Sequence, residues 1–395
     1  MTKALSGIRV LDLSRVLAGP WCTQMLGDLG AEIIKIEQPG KGDDTRSWGP
    51  PWHGAGEDRL SAYYLSANRN KKSVAIDIAK PEGQALIREL ATKCDVLVEN
   101  FKVGGLDKYG LDYLSLKALN PRLVYCSITG FGHSGPRAHQ PGYDLMVQGL
   151  SGLMSITGQP DGEPQKVGVA LVDVMTGLHA CIAVLAALNQ RHETGRGQFI
   201  DMALLDVAVS TLANIGLNQR VTGEAPKRMG NAHPSVVPYQ VFETADGHMI
   251  VAVGNDDQFA HFVKVLGLAA LAVDPLYATN AGRVENRATL IPQLAAAMKT
   301  QTTAHWDAAL SAANVPAGPI NDIGQALADP QSVARGLATM AGNRPAIASP
   351  LRLSDSMPDA GSEPPLLGQN TAEVLQDVLG HSAADIAALK QRSVV

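Results

Sequence analysis

The first third of the chain alternates strand-like and helix-like apolar runs. IRVLDLS (8–14), AEIIKIE (31–37), SVAIDI (73–78), DVLVENF (95–101) and RLVYCSITGF (122–131) are short, aliphatic and rich in β-branched residues, the pattern of buried strands. Between them, GPWCTQMLGDLG (19–30) and PEGQALIRELATKC (81–94) read as helices. Such alternation implies βαβ units and a parallel sheet, whose ligands bind beyond the carboxyl ends of the strands. The first strand runs into SRVLAGP where a GxGxxG fingerprint would stand, which argues against NAD and FAD.

Further along, the apolar stretch 167–188 is interrupted by Asp173, Thr176, Gly177 and His179. It reads as a buried strand followed by a helix, since a membrane span needs about 20 residues with few polar groups. The segment 215–235, rich in Gly, Asn, Pro and Arg, reads as a linker. YQVFETADGHMIVAV (239–253) predicts a hairpin around Asp246 and Gly247, with amphipathic helices to about residue 311. From NVPAGPIND (314–322) onward, Pro-rich connections and a final helix lead back. The expected fold class is therefore α/β, with a large domain over 1–215, a small α/β domain over 225–320, and a segment 321–395 that returns to the large domain.

A chain of 395 residues, 45% hydrophobic and 18% charged, buries enough surface for two such domains. The formal net charge of -5 and pI near 6.1 argue against a nucleic-acid or anionic-membrane partner, which require a basic surface. Cys22, Cys94, Cys126 and Cys181 are widely spaced, with no CxxC pair, which fits a reducing, cytoplasmic compartment. The histidines form no HExxH cluster, so no metal is expected. The N-terminus MTKALSGIRVLDLS has no charged segment ahead of an apolar core and does not read as a signal peptide.

Candidate chemistry lies in three places. Asp173 ends an apolar run and precedes a long helix, so it reads as an N-cap or as a carboxylate nucleophile kept ionised by the helix dipole; the two readings are compatible. In SITGFGHSGPRAHQPGYDLMVQGLSGLMSITG (127–158) the glycines either form turns or let backbone amides approach a bound ligand closely, with Tyr143 and Asp144 beside them. Arg15, Lys71, Lys72, Lys102 and Lys108 lie near early strand ends, either on a solvated face or around the phosphates of a bound ligand.

The chain also resembles a known family through nearly its whole length. GIRVLDLSRVLAGPWCTQMLGDLGAEIIKIEQPGKGDDTR, NRNKKSVAIDIAKPEGQALIREL, DVLVENF, NPRLVYCSITGFG, PGYD, VDVMTGLHA, TGRGQ and PLLGQNTAEVLQDVLG are similar to CaiB/BaiF, or class III, CoA-transferases. The resemblance implies a Rossmann-like CoA-binding domain, a small α/β domain and an interlocked homodimer. It places the nucleophile on Asp173, with acyl-CoA and a carboxylic acid as substrates and no tightly bound cofactor. It places nucleotide and pantetheine contacts near Arg15, Val16, Gln38, Ile76, Asn100, Phe101 and Lys108. Gln38 and Lys108 stand where the family has arginines, and NFRPG reads NFKVGG here, which bears on the phosphate contacts.

The rival activity implied by the same fold is an α-methylacyl-CoA racemase. Its histidine is replaced by Tyr143, and a phenol ordinarily titrates near pH 10, too high for a base at neutral pH. A non-catalytic acyl-CoA-binding paralogue is the rival from another class, and Asp173 argues against it. Within the transferases, Leu17 replaces the glutamine of the formyl-CoA:oxalate branch, and GNAHPSVVPY (230–239) replaces its glycine-rich lid. The expected acceptor is therefore a larger dicarboxylic or hydroxy acid, with succinyl-CoA as donor. Arg46 in GDDTRSW is a candidate partner for a substrate's distal carboxylate, or else a structural ion pair.

Overall fold

The computed structural model describes residues 3–358 and 360–395. They divide into two compact units, one taking residues up to Leu153, Val167–Leu217 and Pro330–Val395, the other Met154–Lys166 and Asn218–Asp329. Residues 154–166, expected in the large domain, thus group with the second unit. There the Arg228 guanidinium donates to the carbonyl oxygens of Gln159 at 3.2 Å and Gly162 at 2.7 Å. The return begins at Pro330 rather than at residue 321: after Ala317–Pro319, which pairs with His248–Ala252 in the second unit's sheet, the chain stays with that unit through Asp329.

Among the described residues, the first unit contains one six-stranded sheet. Its strands are β1 (Arg9–Asp12), β2 (Glu32–Glu37), β3 (Lys71–Ala75), β4 (Val96–Glu99), β5 (Val124–Thr129) and β6 (Phe199–Ala203). They lie in the order β3-β2-β1-β4-β5-β6, and every neighbouring pair is parallel. The helices that matter for the site are α1 (Ala18–Asp28), α2 (Pro81–Lys93), α3 (Asp144–Leu150) and α4 (Leu171–Thr194).

The strands read as continuous apolar runs because both sheet faces are covered. Side chains alternate between two cores. Leu11, Ile34, Val74, Leu97 and Tyr125 face α2 and the C-terminal helices Thr371–Asp377 and Ala383–Gln391, through Leu86, Ile87, Leu90, Val374, Leu375, Ile386 and Leu389. Val10, Ile33, Val96, Val98, Val124 and Cys126 face α1 and α4, through Cys22, Leu26, Val172, Ala180, Val184 and Leu188. The four cysteines are reduced and buried.

Several expectations are corrected here. The apolar run before Asp173 is not a strand: residues 165–170 are irregular, Val169 is exposed, and the Val167 N–H donates to the Gln148 side chain rather than to a ladder. The sixth strand is instead FIDMA, whose central Asp201 hides its strand character in the sequence. The expected linker 215–235 begins as helix, Ala213–Thr222, and is irregular only beyond it. α4 is long and apolar enough to cross a membrane by length and composition, and it packs one face into the sheet core.

In the second unit the hairpin falls where the sequence places it. Tyr239–Glu243 and His248–Ala252 pair antiparallel with Glu243 opposite His248. Phe242, Met249 and Val251 pack on Phe259, Phe262, Leu290, Leu294 and Trp306 from the helices that follow.

Candidate active site

Four segments of the first unit meet beyond the carboxyl ends of β1, β4 and β5: the loop 14–17, the loop 100–109, the segment 130–143 and the start of α4. Strand order reverses between β1 and β4, the topological switch point where open parallel sheets bind ligands. The cleft there has a volume of about 450 Å³, and Val16, Leu17, Phe101, Gly130, Tyr143 and Asp173 are among its lining residues.

Asp173 reaches the cleft because of a glycine one turn further along α4. A Cβ on Gly177 would lie 2.7 Å from the Ala18 carbonyl oxygen and 3.0 Å from the Trp21 Cβ, so only glycine lets α4 cross α1 this closely. Residues four apart share a helix face, which places Asp173 over the beginning of α1, beside Leu17 and Ala18 in the cleft wall. Leu17 has no side chain to cap α1, whose first turn therefore opens toward the cleft without a side-chain acceptor from its own N-cap.

The electrostatics of Asp173 differ from the expectation. It is not the N-cap: Ala170 holds that position, and Asp173 is in the first helical turn. The cap comes from Asp144, whose Oδ2 accepts from the Val172 N–H at 2.8 Å and the Asp173 N–H at 3.1 Å. Gln148 Nε2 holds the other oxygen at 2.6 Å, so buried Asp144 is a helix anchor and does not line the cleft. Burial and the negative charge of Asp144 push the Asp173 carboxyl up to about 7, overriding the helix dipole.

An activity that needs ionised Asp173 should therefore rise with pH to a plateau, with a midpoint near 7 in kcat/KM. Asp144→Asn keeps an acceptor for the helix N–H groups and removes the charge, so its midpoint should fall to lower pH. An unmoved midpoint would show that another group sets it.

The glycine-rich segment after β5 is shaped by one close approach. A Cβ on Gly130 would sit 2.5 Å from the Gly142 Cα, so the two backbones touch and bring Thr129, Gly130 and Pro141–Tyr143 into one wall. Tyr143, 70% exposed, lines the cleft at the start of α3. Asn100 pins the opposite wall, its Oδ1 accepting from the Arg15 N–H at 2.9 Å and its Nδ2 donating to the Arg15 carbonyl at 2.7 Å.

Of the basic candidates, Arg15, Lys102 and Lys108 line the cleft. The Arg15 guanidinium lies 5.4 Å from the Phe101 ring centre and the Lys108 ammonium 4.7 Å from that of Tyr109, both exposed enough to meet an anion. Lys71 is buried against Asp12 at 3.1 Å, and Lys72 pairs with Glu32 and Glu373.

Three further candidates lie elsewhere. Arg46 is held by Glu37 through two bonds of 2.8 and 2.7 Å, donates to the Tyr64 hydroxyl at 2.6 Å and stacks on that ring at 3.9 Å. It is absent from the cleft lining, so the structural ion pair accounts for it. Ile76 is a core residue, and Ile78, two positions on, reaches the cleft instead. Gln38 is exposed in the turn after β2, where its carbonyl accepts from the Gly42 N–H, and it does not line the cleft.

Two more residues stand at the site without having been among the candidates. His139 lines the cleft from the segment already singled out for its glycines. Tyr63 is the other: burial raises its phenol, and the charges of Asp173, Asp144 and Asp43 add to it. No local signal marks it, since it stands in an ordinary short helix, Ala62–Ala67.

A parallel α/β sheet whose switch-point cleft joins a half-buried carboxylate to three cationic side chains defines a protein that handles an anionic ligand next to a carboxyl group. The family model described as CoA-transferase family III matches residues 5–371. The chain is 49% identical to the succinate–glutarate CoA-transferase of Agrobacterium fabrum, covering 95% of each chain. It is 44% identical to the succinyl-CoA:glutarate CoA-transferase of Homo sapiens, covering 100% of this chain and 90% of that one. A solved CaiB/BaiF family protein from Brucella suis matches with a TM-score of 0.87 at 48% identity, over 96% of this chain and 100% of that one. The chain belongs to CoA-transferase family III, and it is a CoA-transferase.

Proposed function

We propose that the enzyme moves CoA from succinyl-CoA to a dicarboxylic acid of about glutarate size, with Asp173 as a covalent nucleophile. The observation that carries this reading is Asp173 in the cleft wall, facing the start of α1 and sharing the cleft with Arg15, Lys102 and Lys108. The substrates are inferred from the relatives named for succinyl-CoA and glutarate.

In this mechanism an Asp173 carboxylate oxygen attacks the thioester carbonyl, the C–S bond breaks, and CoA leaves as thiolate from a mixed anhydride. The thiolate attacks the Asp173 carbonyl carbon and expels succinate, leaving an aspartyl-CoA thioester. The acceptor carboxylate attacks that thioester and regenerates an anhydride, and the thiolate then takes the acceptor's acyl group and frees Asp173. Cationic side chains hold the CoA phosphates. Backbone N–H groups at the start of α1 and along Gly130–Gly142 serve the developing oxyanions. A carboxyl pushed up to about 7 is a better nucleophile, once ionised, than an ordinary carboxylate.

The strand order and the switch-point cleft support a Rossmann-like reading of the first unit. A homodimer is supported by Leu145, Met146, Leu150, Ile182 and Val209, apolar residues left exposed on α3, α4 and the helix Leu204–Ser210. Interlocking of the two chains and a cytoplasmic location complete the proposal.

A panel of free acids offered with succinyl-CoA tests the substrate assignment. Glutarate and similar dicarboxylates should give kcat/KM at least about tenfold above monocarboxylates of equal length, the size expected for one charge-assisted carboxylate contact. Equal rates across the panel would contradict the dicarboxylate acceptor.

A further inference from the structure

Val16, in the cleft wall, has a backbone φ of +70°. For a β-branched residue this left-handed conformation is a strained outlier that persists only where its surroundings over-determine it. The surroundings here are a buried set of charges beneath the β1–α1 loop. Asp43 accepts from the Val16 N–H with both carboxylate oxygens at 3.3 Å. Lys35, fully buried, donates to Asp43 Oδ2 at 2.9 Å and to the Ser14 carbonyl at 2.9 Å. Asp12, also buried, takes the Ser14 N–H at 2.9 Å and is paired in turn with Lys71.

Residues 14, 15 and 16 are thus each pinned by a side chain from another segment: Asp12 and Lys35 on Ser14, Asn100 on Arg15, Asp43 on Val16. Asp43 itself is fixed by the N–H and hydroxyl of Thr45 at 3.0 and 2.8 Å and by Lys35, which hold its carboxyl down at about 2. Four ionic groups on β1, β2, β3 and the loop after β2 are a costly arrangement to bury, and replacing such a set with apolar residues is often neutral for stability. Three of them, Asp12, Lys35 and Asp43, bond to the backbone of one short loop that forms the cleft wall, and Lys71 backs them through Asp12.

We propose that Asp43, braced by Lys35, is a positioning residue that locks Val16 in the left-handed conformation and thereby sets Leu17 and the start of α1 against the bound thioester. The inference rests on the reading of this cleft as the acyl-CoA site.

A double-mutant cycle tests it, because glycine adopts φ near +70° without the clamp. Asp43→Ala should raise KM for succinyl-CoA and lower kcat, reducing kcat/KM by about tenfold or more, the equivalent of the strain released. Measured in the Val16→Gly background, the same Asp43→Ala change should cost less than about threefold. A merely structural Asp43 would cost the same in both backgrounds, and that result would overturn the proposal. Should Asp43→Ala not fold, Asp43→Leu, which restores volume without an acceptor for the Val16 N–H, carries the same comparison. Phe101→Ala serves as the control for the cleft: if it leaves succinyl-CoA binding unchanged, the cleft reading fails. If it weakens binding while Asp43→Ala has no effect, the clamp alone fails.

Discussion

Asp173→Asn is expected to reduce CoA transfer by at least about a thousandfold while leaving succinyl-CoA affinity within a few-fold of wild type. The amide preserves the size of the side chain and its place over α1, so the cleft keeps its shape, but the carboxylate oxygen that must attack the thioester is gone. Stability provides a control with a definite sign. The folded-state pKa of Asp173, about 7, lies above the ordinary carboxylate value, so the native state holds this proton more tightly than the unfolded chain. Its contribution to stability therefore declines as pH rises from about 4 through 7. Above pH 7 the buried negative charge beside Asp144 is fully present, and the neutral amide removes it. Asp173→Asn should consequently melt no lower than wild type at pH 8. A variant that loses activity and also unfolds there would point to a structural role for the carboxyl group.

Gly177→Ala should produce the next largest effect, although Gly177 is in the helix crossing and does not itself line the cleft. The added methyl meets the Ala18 carbonyl at 2.7 Å and the Trp21 side chain at 3.0 Å, both parts of α1 rather than a movable side-chain tip. The helices must separate, at a cost of about 1–3 kcal/mol in stability. That separation moves Asp173 away from the start of α1, and a misplacement near 1 Å can lower the rate by about a hundredfold. Turnover should therefore fall by about two orders of magnitude at a temperature where the variant is still folded. A loss of melting temperature with unchanged kcat would show that the α1–α4 crossing does not set the position of Asp173.

Much of the frame is legible in the chain because it depends on local pattern. β1, β2, β4 and β5 fall inside their apolar runs, β3 only slightly ahead of SVAIDI, and the hairpin at Asp246–Gly247 follows from its turn residues. What is not legible depends on distant partners. The strand β6 carries a central aspartate, and Asp201 accepts from the His133 N–H, an arrangement visible only once β5 and β6 are side by side. Arg46 looks available in GDDTRSW, yet Glu37 at the end of β2 and the ring of Tyr64 claim it. Asp173 is visible as an aspartate at the head of a long helix. Its raised pKa is not, because it comes from burial in the folded cleft wall and from the charge of Asp144, a residue on a different helix that takes over the cap. Arg15 is likewise distant in sequence from Lys102 and Lys108, and it joins their loop only through the parallel pairing of β1 and β4.

The covalent role of Asp173 is tested most directly by trapping. The enzyme is incubated with succinyl-CoA and no acceptor, treated with hydroxylamine, and the peptide containing Asp173 is analysed by mass spectrometry. Both the mixed anhydride and the aspartyl-CoA thioester are acylating species, so attack by hydroxylamine should leave a hydroxamate on Asp173 and inactivate the enzyme in proportion. An enzyme that only exchanges a proton, or a protein that only binds acyl-CoA, would form no such adduct. Recovery of unmodified Asp173 from enzyme that demonstrably turns over succinyl-CoA would contradict the covalent mechanism.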